Sequence, residues 1–168
     1  SYSTADPYVK KVWDGRYTGI RMCNELLENI DRVPDLDPEL KKRYIGEAKV
    51  LRAYNSYELY TKFGDVPYTT KVLSIKESMS IARTAKATVI ANVLADLDEV
   101  INGNYLPTSY DADNKGRITR WAATAIKAKI YLFEGNWTQV KNITSTIMTE
   151  GGFKLFGSYA GLFEIANE

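Results

Sequence analysis

Gly46-Glu-Ala-Lys-Val-Leu-Arg-Ala-Tyr-Asn-Ser-Tyr-Glu-Leu-Tyr-Thr-Lys-Phe-Gly-Asp-Val-Pro67 joins a tyrosine-rich, largely apolar helical run to an abrupt stop. The helix is predicted to end at Phe63. Gly64 supplies the left-handed backbone that releases the last carbonyls, and Pro67 cannot re-enter a helical ladder. The chain must therefore leave in an extended loop. Upstream, Asp37-Pro38-Glu39 is a start signal with an acidic residue in the first turn, where it complements the helix dipole. Leu40, Tyr44, Ala48 and Leu51 carry the pattern to Phe63, and Tyr54, Tyr57, Leu59 and Tyr60 widen its apolar face, so this helix is expected at the centre of the fold.

Working outward, Val33-Pro34-Asp35 is a short polar connection that favours an antiparallel pair with an earlier helix. That helix, about residues 7 to 31, opens at Asp6-Pro7 and repeats Trp13, Tyr17, Ile20, Asn24 and Leu27 at steps of three and four. Residues 64 to about 84 lack a period and read as a long loop. Thr84 is expected to cap a third helix through Val89, Ile90, Val93, Leu94, Leu97, Val100 and Ile101, ending at Gly103. A second irregular segment runs from Asn104 to Ile118. Thr119 opens a fourth helix to Phe133, Gly135 turns the chain, and Asn136 caps a fifth to about Thr149. Gly151-Gly152 stops it, and the tail from Phe153 to Ile165 reads as a short helical turn docked on the bundle.

Ala128, Tyr131, Gly135, Trp137 and Val140 fall at the small, aromatic, glycine, aromatic and small positions of a tetratricopeptide helical hairpin, with Lys127, Val140 and Ile147 departing from the commoner residues. The expected fold is all-α, a tetratricopeptide-like antiparallel helical array with long inserted loops.

The balance of charge excludes some partners. The 168 residues carry a net charge of +1, which builds no one-signed field to draw nucleic acid. The lone Cys23 sits in a helical pattern as a small buried residue and permits no intrachain disulfide. No apolar run approaches the roughly 20 residues needed to span a bilayer as a helix.

The 46–67 stretch resembles the EAxxLRAYxYxxLxxxFGDVP signature of the SusD/RagB family, surface glycan-binding lipoproteins of the Bacteroidota outer membrane. Gly116-Arg-Ile-Thr-Arg-Trp-Ala-Ala-Thr-Ala-Ile-Lys-Ala-Lys-Ile-Tyr-Leu-Phe-Glu-Gly-Asn-Trp137 resembles the family's second signature, GRxTxxAAxALxAxxYLxxGxW. Ser158-Tyr-Ala-Gly-Leu-Phe163, with Asn167-Glu168, is similar to its following segment. The resemblance implies that residues 1–168 form a single helical domain, a fragment of a longer chain. It also implies a non-catalytic protein on the outer surface of the outer membrane. Such a protein binds oligosaccharide, or peptide in some members, and delivers it to a SusC-like TonB-dependent transporter. The membrane would be reached only through a lipid anchor absent from this chain, because Cys23 is mid-helix. A helical-repeat scaffold that grips only another protein, and a helical carbohydrate-active enzyme, are the alternative readings.

No cofactor or metal is expected. Without histidine, catalysis would rest on carboxylates, and Asp96, Asp98 and Glu99 stand one and two residues apart, where side chains diverge; they read as an exposed helix face. Asp111-Ala-Asp113-Asn114-Lys115-Gly116 opens like a calcium loop, but Lys115 and Ala122 occupy positions that need oxygen ligands, so it reads as a polar turn. Asn136-Trp-Thr and Asn142-Ile-Thr match glycosylation acceptors but fall in helices and are set aside.

Sugars stack on aromatic rings and offer hydroxyls to amide, carboxylate and guanidinium groups. Trp13, Tyr17, Tyr54, Tyr57, Tyr131, Trp121 and Trp137 are expected to pack internally. Tyr68, Tyr105 and Tyr110, with Asn114, lie in the loops and are the candidate ligand-binding residues. Glu47, Arg52 and Asp65, from the first signature, are expected to fix the helix end and its loop by hydrogen bonds.

Overall fold

The computed structural model describes residues 6–164, so the expectations for Ile165, Asn167 and Glu168 lie outside the described residues. These residues form six α-helices, α1 (Pro7–Asn29), α2 (Pro38–Phe63), α3 (Ile75–Ser80), α4 (Lys86–Asn102), α5 (Arg120–Phe133) and α6 (Trp137–Glu150). Among the described residues there is no strand, only one isolated antiparallel bridge between Val66 and Thr84.

The helix ends obey local chemistry. The Asp6 carboxylate accepts from the Tyr8 amide, Asp37 from Leu40, Thr119 from Ala122 and Asn136 from Gln139, each satisfying an otherwise unpaired first-turn N–H. At the end of α2 the Gly64 amide donates to the Tyr60 carbonyl at 3.0 Å, with Gly64 at a φ of 71°. Two starts differ from expectation. The 64–84 excursion contains α3, nucleated by Ser74 and Glu77, whose side chains cap each other's backbone. Thr84 does not cap α4. It pairs with Val66, and the cap comes from across the fold, where Asp65 Oδ1 accepts from the Lys86 amide at 2.8 Å.

Packing places α2 in the middle, against α1, α4 and α5, while α5 and α6 pair as a hairpin. Val50, Ala53, Leu59 and Tyr60 of α2 meet Val89, Val93, Leu97 and Val100 of α4 and Ala123 and Ile130 of α5 in one core. Trp13 packs edge-on against Phe63 at 5.0 Å and Tyr57 against Tyr60 at 5.6 Å, so these rings fill space between helices. Trp121 is buried, but Trp137 is 67% exposed, which corrects the expectation that it packs inside. α6 contains no buried residue, and the tail turn Ala160–Phe163 leaves Phe153, Leu155 and Phe163 exposed rather than docked.

The acidic run on α4 is an exposed face at Glu99 and half-exposed at Asp98, as expected, but not at Asp96, and all three are paired. Asp96 is buried against Arg52, Asp98 meets Lys127 of α5, and Glu99 meets Lys49 of α2. Lys127, an odd residue for a tetratricopeptide hairpin, thus joins α5 to α4. Close approach also depends on glycine: a Cβ at Gly46 would stand 2.7 Å from the Tyr105 Cβ and 3.1 Å from Leu106, so α2 accepts the 104–106 segment only without a side chain there.

Two comparisons test this packing. Gly46→Ala should cost about 1–3 kcal/mol as overpacking, whereas Gly15→Ala, with open space around its Cβ, should gain up to about 1 kcal/mol from helix propensity; urea midpoints of the two variants check the contrast. The Lys49 ammonium beside Glu99 holds its carboxyl below the usual carboxylate range, and the Tyr105 hydroxyl pulls the same way. A depressed acid stabilises the fold above its unfolded pKa and loses that contribution as pH falls through the folded value. Glu99→Gln should therefore be less stable than the parent at neutral pH, and the gap should close in acid, as read by denaturation at a series of pH values.

Candidate functional site

The 104–118 segment begins where Gly103 ends α4 and Asn104 takes a positive φ of 51°. Leu106 is buried as an anchor, and the Tyr105 amide donates to the Val100 carbonyl at 3.1 Å. The Tyr105 hydroxyl donates to Glu99 Oε1 at 3.1 Å, while the Lys42 ammonium lies 5.6 Å from its ring centre. Partial burial raises its phenol pKa, and the Glu99 bond adds to the rise. Tyr110 donates to the Ile118 carbonyl at 3.2 Å and reaches Glu47 at 3.4 Å. Both rings hold their segment against the bundle as well as presenting edges at its surface.

Asn114 closes a 3-10 turn, Ala112–Asn114, with its amide and side-chain nitrogen both bonded to Asp111 Oδ1 at 3.0 and 2.9 Å. Asp111 is thereby spent on the turn, and among the described residues no cluster of His, Cys, Asp or Glu is placed to hold a metal. Tyr68 lies on the other excursion, packed against the core beside Arg52 and Asp96, and burial pushes its phenol up to about 12. The four candidate residues therefore do not converge. Three share one segment, and the fourth points into the interior.

The signature residues act as ties between elements. Glu47 receives Arg117 through two bonds of 2.9 and 2.7 Å, which draws the entry of α5 onto α2. Arg52 grips Asp96 through two bonds of 2.9 and 2.8 Å and also donates to Asn24 Oδ1 at 3.0 Å. Asp65 caps α4 and takes the Arg83 guanidinium on its carbonyl. Asp65 thus fixes the loop after α2 as expected, whereas Glu47 and Arg52 tie α2 to neighbouring elements rather than fix its end.

Two hollows remain. A cleft of about 500 Å³ opens between the start of α2 and the 104–108 segment, lined by Asp37, Glu39, Arg43, Tyr105, Pro107 and Arg120 among others. Its mixture of guanidinium, carboxylate and aromatic groups suits hydrogen bonding to a polar ligand with one flat face. The second, about 260 Å³, lies between α1 and the 67–81 arc. Its wall of Trp13, Tyr17 and Ile20 is apolar, and its polar groups are occupied: Tyr17 donates to Pro67, Arg21 to Leu73, and Asn24 to Thr69 and Lys71. The larger cleft holds Tyr105 of the sequence candidates. Arg43, Arg120 and Asp37 were missed. Arg43 stands four residues from both Glu39 and Glu47, so its spacing suggests ordinary helical ion pairs, and only the tertiary capture of Glu47 by Arg117 sets it apart.

Comparison with known proteins places this architecture. The model of a SusD-like family described as starch-binding and associating with the outer membrane matches residues 1–132. SusD-like protein P25 of Formosa agariphila is 29% identical over 160 residues, which is 95% of this chain and 30% of that protein. A SusD-like protein of Bacteroides fragilis superposes with a TM-score of 0.88 at 28% identity, covering 98% of this chain and 32% of that one. A laminarin-binding SusD-like protein superposes at 0.87 with 29% identity, covering 94% and 35%. The chain spans about a third of the length of these relatives. With a matching family model over most of its length and this shared helical frame, the chain belongs to the SusD-like family.

Proposed function

We propose that this chain is the helical part of a surface protein of the outer membrane that captures oligosaccharide without cleaving it and passes it to a SusC-like TonB-dependent transporter. The observation that carries the reading is its likeness to a laminarin-binding SusD-like protein over 94% of this chain at 29% identity. The candidate cleft supports it, since sugar recognition needs a ring to stack on and planar groups for vicinal hydroxyls. In this reading Tyr105 is the ligand-facing ring, Tyr110 and Asn114 shape the segment that carries it, and Tyr68 braces the opposite excursion.

A non-catalytic role is supported by how the carboxylates of the frame are used. Glycosidic cleavage in its common form needs two carboxyl groups facing one bond, one of them protonated. Here Glu47, Asp96, Asp98 and Glu99 each answer a different cation, on α5, α2 or the loop before α5. The exposed Trp137, Met148 and Leu155 at the α6 end favour a second reading, in which the helices grip another protein.

Affinity electrophoresis through laminarin and a panel of other glycans separates the readings. Reversible retardation with the glycan recovered intact is expected, and Tyr105→Ala should weaken it roughly two- to tenfold, the worth of about 0.5–1.5 kcal/mol of ring stacking. Shortened glycan products would establish an enzyme. No retardation, together with co-purification of the transporter, would establish the scaffold.

A further inference from the structure

Four described arginines are paired with carboxylates: Arg16 with Glu58, Arg21 with Glu25, Arg52 with Asp96 and Arg117 with Glu47. Arg43 and Arg120 are different. Among the described residues neither has a carboxylate within ion-pair distance, neither guanidinium makes a hydrogen bond, and Arg43 Nε is buried without a partner. Both line the 500 Å³ cleft.

Their charge is held by rings instead. The Arg43 guanidinium lies 5.7 Å from the centres of Tyr44 and Tyr110, and Arg120 lies 6.0 Å from Trp121. Stacking of this kind supports the cation while leaving its N–H edge unspent. A buried N–H without an acceptor is costly, so a ligand that supplies one recovers free energy that solvent-facing cations do not offer. The planar fork of a guanidinium matches a carboxylate through two parallel bonds. Asp37 is already committed to the Leu40 amide at the start of α2, and among the described residues Glu39 makes no ion pair, so both are placed to accept hydroxyls at the rim.

We infer that this cleft is a binding site for a uronic-acid residue of an oligosaccharide, with the sugar carboxylate on Arg43 and Arg120, hydroxyls on Asp37 and Glu39, and the ring face against Tyr105. The inference rests on the glycan-capture reading and adds to it the site and the acidic class of sugar.

Isothermal titration with galacturonate, mannuronate and glucuronate oligosaccharides, each beside its carboxyl-reduced neutral counterpart, tests it in the parent, Arg43→Gln and Arg120→Gln, with circular dichroism confirming the fold. At least one uronate series should bind tenfold or more tightly than its neutral counterpart. Added salt should narrow that preference, and either substitution should bring it to within about twofold by weakening the uronate form far more than the neutral one. Equal binding of the acidic and neutral forms beside retained laminarin would overturn the acidic site and leave glycan capture standing, as would a preference that survives both substitutions. Failure to bind any glycan would overturn both.

Discussion

The guanidinium of Arg52 is the point on which the arrangement depends. From the middle of α2 it takes both oxygens of Asp96 on α4 and the side-chain oxygen of Asn24 on α1. Asn24, itself fully buried, spends its nitrogen on the carbonyls of Thr69 and Lys71 at 3.2 and 3.0 Å. One buried cation therefore joins three helices and the excursion that follows α2. Desolvating such a pair offsets much of its attraction, so its contribution lies in selecting one geometry: with either partner removed, a buried charge is left without an answer. The apolar contacts between α2 and α4 would tolerate some sliding; the bidentate pair does not.

The other signature residues extend the same logic outward. Glu47 binds the entry to α5 through Arg117, and Asp65 caps α4 from across the chain. Gly46 lets Tyr105 and Leu106 lie directly on α2. What looks in one dimension like a helix followed by a stop is in three dimensions a set of attachments, one for each neighbouring element. The larger cleft forms where two of these attachments, the seating of Leu106 and the Arg117 tie, hold the 104–118 segment beside the start of α2.

Most helix limits were legible because they are written in local chemistry: aspartate before proline at 6 and 37, glycine at 64 and 103, Thr119 and Asn136 at caps. α3 leaves no apolar period in the sequence because it buries nothing, although the serine and glutamate of its capping box stand three residues apart. The start of α4 reads as Thr84 in the sequence because a cap supplied by Asp65 leaves no mark at the helix itself. Asp96 read as solvated for the same reason, since its partner lies 44 residues earlier. At the site, loop tyrosines were visible as rings without a burial period, but the arginines that line the cleft were hidden. Whether a helical arginine is paired depends on which carboxylate the tertiary fold has already taken.

A double-mutant cycle across Arg52 and Asp96, read by urea denaturation of Arg52→Ala, Asp96→Ala and the double variant, tests the central tie most directly. Each single change should cost about 3–5 kcal/mol by stranding a buried charge, and the double variant should cost far less than their sum, a coupling of at least about 2 kcal/mol. Additive losses would show that the two side chains act independently and that the helices are held in place by apolar packing alone.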